Sequence, residues 1–249
     1  MKKVAFYTLG CKVNQYETNA MIEQFIKSNY EIVKFEEFAD IYVINTCTVT
    51  SMADKKSRQI IRRAKQVNKD AIVVVTGCYA QIAKEELLKI DDINLVIGNT
   101  EKKEIVKIVE EYNKDSKVFN ITDINKQKEF TDFGITTYNE KTRAVIKVQD
   151  GCNNFCSYCI IPYAKGRVRS RNPKSVINEI KEIVKQGIKE VVITGIHVAS
   201  YGLDFEDNYY LIDLLEEINN IQDLKRIRLR IIRTKNNNKR ICGKIKKIR

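Results

Sequence analysis

Three cysteines fall within eight residues in Gly151-Cys152-Asn153-Asn154-Phe155-Cys156-Ser157-Tyr158-Cys159, a C-x3-C-x2-C spacing on the loop after a strand-like segment. Thiolates so spaced can wrap one iron-sulfur cubane, and the missing fourth ligand leaves one iron with an open coordination position. If the amino and carboxylate groups of S-adenosylmethionine chelate that iron, an electron from the cluster can enter the sulfonium and release a carbon radical. A structural zinc knuckle is the competing reading. Such knuckles supply four ligands, and neither His197 nor Cys242 stands at knuckle spacing.

Cys11, Cys47 and Cys78 are far apart in sequence, but each follows a strand-like run: Val4 to Leu9, Ile41 to Thr46, and Ala71 to Gly77. In an open parallel sheet all strands point one way, so their carboxyl ends share an edge where ligand sites form. Three thiolates would converge there and leave an open position, which suits an iron-sulfur cluster that binds something further at one iron. Zinc bound by three thiolates is the alternative that the residues leave open. A single such cysteine reads as an ordinary small buried residue; three at one edge read as ligands.

The elements that must position these residues alternate between the two periodicities. In the first hundred residues, helical stretches over Gln15 to Ser28, Ala53 to Val67, Gln81 to Ile90 and Glu101 to Tyr112 separate the strands, with Leu95 to Gly98 as a further strand. This pattern predicts an α/β fold, an open parallel sheet with flanking helices over 1–112. Residues 113–142 are polar and weakly periodic and read as a linker or irregular hairpin. A second α/β unit over 143–229 begins with strand Ala144 to Val148, helix Pro173 to Gln186, strand Glu190 to Thr194 and helix Tyr210 to Asn219, and Leu224 to Ile232 reads as a third strand.

Composition bounds the setting. No window approaches the roughly 18 consecutive apolar residues of a membrane span, and Met1-Lys2-Lys3 runs directly into a strand, so no membrane is expected and the protein should be cytoplasmic. Cysteines in a reducing compartment serve as metal ligands or catalysts rather than disulfides. The net charge of +12 is not spread evenly: twelve Lys and Arg and no acid lie in residues 225–249, while 1–224 carries thirty-two of each sign. The aperiodic stretch 230–249 reads either as a basic RNA-binding arm or as sequence foreign to the fold, such as a frameshift product. Its vocabulary of Lys, Asn, Ile and Arg favours the second.

Cys152 to Cys159 resembles the radical S-adenosylmethionine signature, and Cys159-Ile-Ile-Pro-Tyr-Ala-Lys-Gly-Arg-Val-Arg-Ser-Arg171 is similar to that of the methylthiotransferase family. Tyr7-Thr-Leu-Gly-Cys-Lys-Val-Asn-Gln-Tyr-Glu-Thr18 and Thr194-Gly-Ile-His197 look most like the members that modify threonylcarbamoyladenosine beside the tRNA anticodon. Related members act on isopentenyladenosine in tRNA or on an aspartate of a ribosomal protein. The resemblance covers roughly residues 1–229. It implies two 4Fe-4S clusters: one on Cys152, Cys156 and Cys159 that cleaves S-adenosylmethionine, and an auxiliary one on Cys11, Cys47 and Cys78. By the same resemblance, a 5'-deoxyadenosyl radical activates the adenine C2-H, sulfur comes from the auxiliary cluster, and a second S-adenosylmethionine supplies the methyl group. Tyr158 would lie near the cofactor adenine. The implied partners are the tRNA anticodon region and an electron donor such as flavodoxin or ferredoxin.

Family members continue further, completing a partial barrel of six β/α units and adding a small RNA-binding β domain. Two units and a third strand are legible here, so an incomplete radical S-adenosylmethionine barrel is expected, from a truncated or frameshifted product. A non-catalytic metal-binding remnant is then the second reading of function. Arg167, Arg169 and Arg171 alternate and, if extended, would face one side, where they could meet phosphates or form a solvated basic edge. His197 reads as structural rather than as an acid or base.

Overall fold

The computed structural model describes residues 1–113, 117–134 and 142–229. The chain divides into two compact units, Met1–Gln127 with Phe155–Lys165, and Lys128–Asn154 with the described part of Gly166–Arg249.

The first unit carries β1 (Lys3–Thr8), α1 (Lys12–Lys27), β2 (Glu31–Val33), β3 (Ile41–Thr46), α2 (Ser51–Val67), β4 (Ile72–Gly77), α3 (Cys78–Ile82), α4 (Lys84–Leu88), β5 (Leu95–Ile97), α5 (Ile105–Glu110), β6 (Val118–Asn120) and, later in the chain, α6 (Ile161–Lys165). Its six strands form one parallel sheet in the order β2-β1-β3-β4-β5-β6. Central β3 is buried along its whole length, as a strand covered on both faces must be. The two-residue period sends Tyr42 and Ile44 to one face, against Ile60, Ile61 and Ala64 of α2. Ile41 and Val43 go to the other, against Met21 and Phe25 of α1 and Val106 and Val109 of α5. The start of α2 is fixed by Thr50, whose hydroxyl accepts from the Ala53 N–H at 3.2 Å.

The second unit carries β7 (Ala144–Asp150), β8 (Arg169–Ser170), α7 (Pro173–Lys185), β9 (Glu190–Gly195), α8 (Leu211–Asn219) and β10 (Arg226–Leu229). The sheet order is β10-β9-β7-β8, with only β8 antiparallel. Ile146, Val148, Val191 and Ile193 pack under Val176, Ile180 and Ile183 of α7 and Leu214, Leu215 and Ile218 of α8. The β/α repeats are those read from the sequence, and the fold is α/β in both units. The expected helix over Gln81 to Ile90 is two shorter ones, α3 and α4. Two three-residue strands, β2 and β6, were too short to register as periodicity; β6 arises from the polar segment read as a linker.

Arg169 and Arg171 correct the expectation that the alternating arginines face outward. Arg167 is exposed, but the other two are 2% and 1% exposed, because both guanidinium groups turn inward to acids, Arg169 to Asp150 and Arg171 to Asp132 and Glu179. Arg171 donates to Asp132 at 3.0 Å and to Ser175 at 3.0 Å, and it pairs with Glu179. The Tyr201 hydroxyl donates to its carbonyl at 2.7 Å. Burial alone would raise the Asp132 carboxyl, but Arg171, the Ser175 hydroxyl and the Gly134 N–H together hold it below its ordinary value.

Two outcomes are expected. Arg171→Met leaves Glu179 buried without this partner and should cost about 3–5 kcal/mol in urea unfolding. A carboxyl held down in the fold contributes stability that is present above its unfolded value and lost as pH falls through the folded one. Asp132→Asn should therefore flatten the decline of the urea midpoint below about pH 5; an unchanged decline would place the acid sensitivity elsewhere.

Candidate functional site

Register sets the amino-terminal site. Thr8 pairs with Asn45, and Thr46 with Gly77; the Leu9 N–H donates to the Asn45 carbonyl at 2.9 Å. β1, β3 and β4 therefore end level, and the residues that follow bring Cys11, Cys47 and Cys78 to one carboxyl edge. Cys11 is exposed at the start of α1, while Cys47 and Cys78 are buried. Gly10 has a positive φ of 98°, and a Cβ there would stand 2.8 Å from both the Cβ and Sγ of Cys47. Its bare α-carbon leaves room beside the thiol. Three cysteines at one sheet edge have the donor chemistry an iron-sulfur cluster takes. Among the described residues no three His, Cys, Asp or Glu side chains are gathered closely enough to hold a single metal ion.

A buried polar network backs this edge. The Asn14 amide donates to the carbonyls of Leu9 at 2.8 Å and Thr46 at 2.9 Å, tying the ends of β1 and β3 to α1. Asn45 donates to the Asn14 carbonyl at 2.9 Å and the Thr18 hydroxyl at 3.0 Å. Deeper still, the Glu17 carboxylate pairs with Lys102 and accepts from Lys165 at 2.8 and 3.0 Å. Lys102 also donates to Asn45, and Lys165 to Asn99, each at 3.2 Å. All three charged side chains are at most 2% exposed. Burial draws the Lys102 ammonium down to about 8 against the pull of Glu17. Burial likewise pushes the Cys78 thiol up to about 12, while Lys165 and Lys102 pull it back. Two ammonium groups near the thiol favour the thiolate that a metal requires, and ligation would release its proton.

Glu17, Lys102 and Lys165 were not singled out in the sequence. The signal was available in α1, where Asn14, Glu17 and Thr18 sit among the buried positions beside Val13, Tyr16 and Met21. Polar residues on a buried stripe require partners.

The second cysteine group lies on the loop after β7. All three thiols are half-buried. The Cys159 N–H donates to the Cys156 carbonyl at 2.9 Å, closing the C-x2-C turn, and the Cys152 N–H donates to Gly166 at 3.0 Å. Gly151 has φ 70°, and a Cβ there would lie 1.8 Å from the Arg167 carbonyl oxygen, so only glycine can precede Cys152. Tyr158 is 80% exposed. Phe155 and Tyr163 meet edge to face at 5.8 Å. His197 has a structural setting: its N–H donates to the Gln149 side chain at 2.7 Å, and its Nδ1 shares a hydrogen bond with the Ser200 hydroxyl.

Comparison with known proteins assigns the class. Residues 3–98 match the uncharacterized protein family UPF0004, and residues 146–249 match the radical SAM superfamily. The chain is a radical S-adenosylmethionine protein, a class that uses S-adenosylmethionine and a 4Fe-4S cluster. It belongs to the methylthiotransferase family within that class. It is 47% identical over 229 residues to the threonylcarbamoyladenosine tRNA methylthiotransferase MtaB of Aquifex aeolicus, covering 91% of this chain and 55% of the relative. To the protein of the same name from Bacillus subtilis it is 44% identical over 231 residues, covering 92% and 51%. The chain thus spans about half the length of the curated relatives it matches. A solved radical S-adenosylmethionine methyltransferase, TsrM from Kitasatospora setae with cobalamin and a [4Fe-4S] cluster bound, shares the fold with a TM-score of 0.57 at 16% identity, over 87% of this chain and 52% of that one.

Gly151→Ala should be far more damaging than Gly187→Ala. Both positions have positive φ, but Gly187 has nothing within 4 Å of its added Cβ, so that variant should lose only the roughly 1–2 kcal/mol of a left-handed conformation. Thermal unfolding of the two variants checks this; equal losses would show that the approach to Arg167 does not constrain the loop.

Proposed function

We propose that this chain methylthiolates C2 of N6-threonylcarbamoyladenosine beside the tRNA anticodon. In this reading Cys152, Cys156 and Cys159 hold the 4Fe-4S cluster that binds S-adenosylmethionine, and Cys11, Cys47 and Cys78 hold an auxiliary 4Fe-4S cluster. The observation that carries the reading is the placement of Cys11, Cys47 and Cys78 directly after the level ends of β1, β3 and β4 in a chain that also bears the C-x3-C-x2-C loop. When bound, the first cluster and its S-adenosylmethionine supply the radical that activates the adenine C2-H, and the auxiliary cluster supplies sulfur.

The chain's own residues bind and orient. Glycine at 151 and the Cys156–Cys159 turn fix the loop, and the exposed Tyr158 ring is available to lie against the cofactor adenine. At the other site, Gly10 keeps the space beside Cys47 open, and Asn14 holds the two strand ends in place. The relatives' printed names support the tRNA substrate. The remaining partner is a low-potential electron donor such as flavodoxin or ferredoxin. No helix among the described residues is long and apolar enough to cross a membrane.

Two measurements test this. Cys156→Ala should abolish reductive formation of 5'-deoxyadenosine, whereas Cys47→Ala should leave it but stop methylthio transfer. In a deletion strain, mass spectrometry of tRNA nucleosides should find methylthio-threonylcarbamoyladenosine gone; an unchanged level would reject the substrate. Iron uptake without any 5'-deoxyadenosine from the unsubstituted chain would mark a non-catalytic cluster-binding protein instead.

A further inference from the structure

α2 begins four residues after Cys47, so its amino-terminal end lies close in sequence to the cysteine edge. Its buried stripe is Ser57, Ile60, Ile61 and Ala64. The opposite stripe follows the same helical period through Met52, Lys55, Lys56, Gln59, Arg62, Arg63 and Gln66, all of them exposed. None of these seven is acidic. The helix as a whole holds six Lys and Arg against Asp54, its single acid, which is half-buried. Because residues 1–224 carry equal numbers of each sign, the rest of that stretch is net acidic while α2 is net positive. Helices elsewhere differ: the exposed positions of α7 mix Lys174, Lys181 and Lys185 with Glu182.

Little holds these cations back from a ligand. Arg63 pairs with Glu36 at 3.3 Å, but both side chains are about half exposed, and exposed pairs of this kind contribute little and exchange readily. Arg58, on the flank, donates to the Tyr79 hydroxyl at 2.8 Å. Lys55, Lys56 and Arg62 extend over about two turns, roughly 10 Å. The positive end of the helix dipole points toward the cysteine edge, and exposed Val49 and Met52 give that end an apolar surface.

We propose that the outer face of α2 is a docking surface for the phosphate backbone of RNA, holding the nucleic acid beside the edge that carries Cys11, Cys47 and Cys78. The proposal rests on the tRNA reading above and adds to it the surface that would hold the substrate. A row of like charges without acids fits a polyanion, and its contacts position without reading bases.

The test is anisotropy binding of an anticodon stem-loop RNA to the full chain across a salt series, with a variant combining Lys55→Gln, Lys56→Gln and Arg62→Gln. Glutamine keeps helix propensity, and a variant making Lys174→Gln, Lys181→Gln and Lys185→Gln on α7 matches the change in charge. The α2 variant should bind about tenfold or more weakly and flatten the dependence of log K on log salt by about two, while the α7 variant keeps the slope of the unsubstituted chain. Equal affinity and slope in the α2 variant, or equal loss in both variants, overturns the docking surface and leaves the tRNA reading standing. Absence of salt-dependent binding by the unsubstituted chain overturns both.

Discussion

Everything at the amino-terminal site depends on the parallel register of β1, β3 and β4. Hydrogen bonding between strands that run the same way forces their carboxyl ends to a common edge. Residues separated by more than sixty positions in the chain, Cys11 and Cys78, thereby come to the same sheet edge as Cys47. A one-residue slip of β3 would move Cys47 out of level with its partners and turn Tyr42 and Ile44 onto the wrong face. The apolar cores on both sides of the sheet therefore hold the thiols in register as well as stabilising the fold.

Charge in this unit falls into two groups with different physics. The inner group, Glu17 with Lys102 and Lys165, is fully buried and joins α1, the turn before α5 and α6. Removing Glu17 would leave two ammonium groups in a low dielectric without their shared carboxylate, so this acid binds those elements together. The outer group, along α2, is hydrated and screened by salt, and its value lies in attraction at a distance rather than in stability.

Much of this was legible in the sequence. The repeating strand-helix periodicity gave the α/β architecture, and the placement of Cys11, Cys47 and Cys78 directly after strand-like runs anticipated their common edge. The C-x3-C-x2-C spacing marked the second group. What escaped was of two kinds. Short elements such as β2, β6 and β8 have too few residues for a period to show, and Arg169 and Arg171 were expected outside because their buried partners Asp150, Asp132 and Glu179 cannot be read from the alternation. Long-range pairings leave no local signature either: nothing near Asp132 announces Arg171, and nothing near Lys165 announces Glu17 148 residues earlier.

The most direct measurement is the iron and sulfide content of the anaerobically reconstituted chain, set beside a variant with Cys11, Cys47 and Cys78 all changed to Ala. Two clusters predict about eight irons per chain, falling to about four in the variant, with 5'-deoxyadenosine formation retained. About four irons in both proteins, or zinc retained with no uptake of iron, would contradict the assignment of a second cluster to the strand-end cysteines.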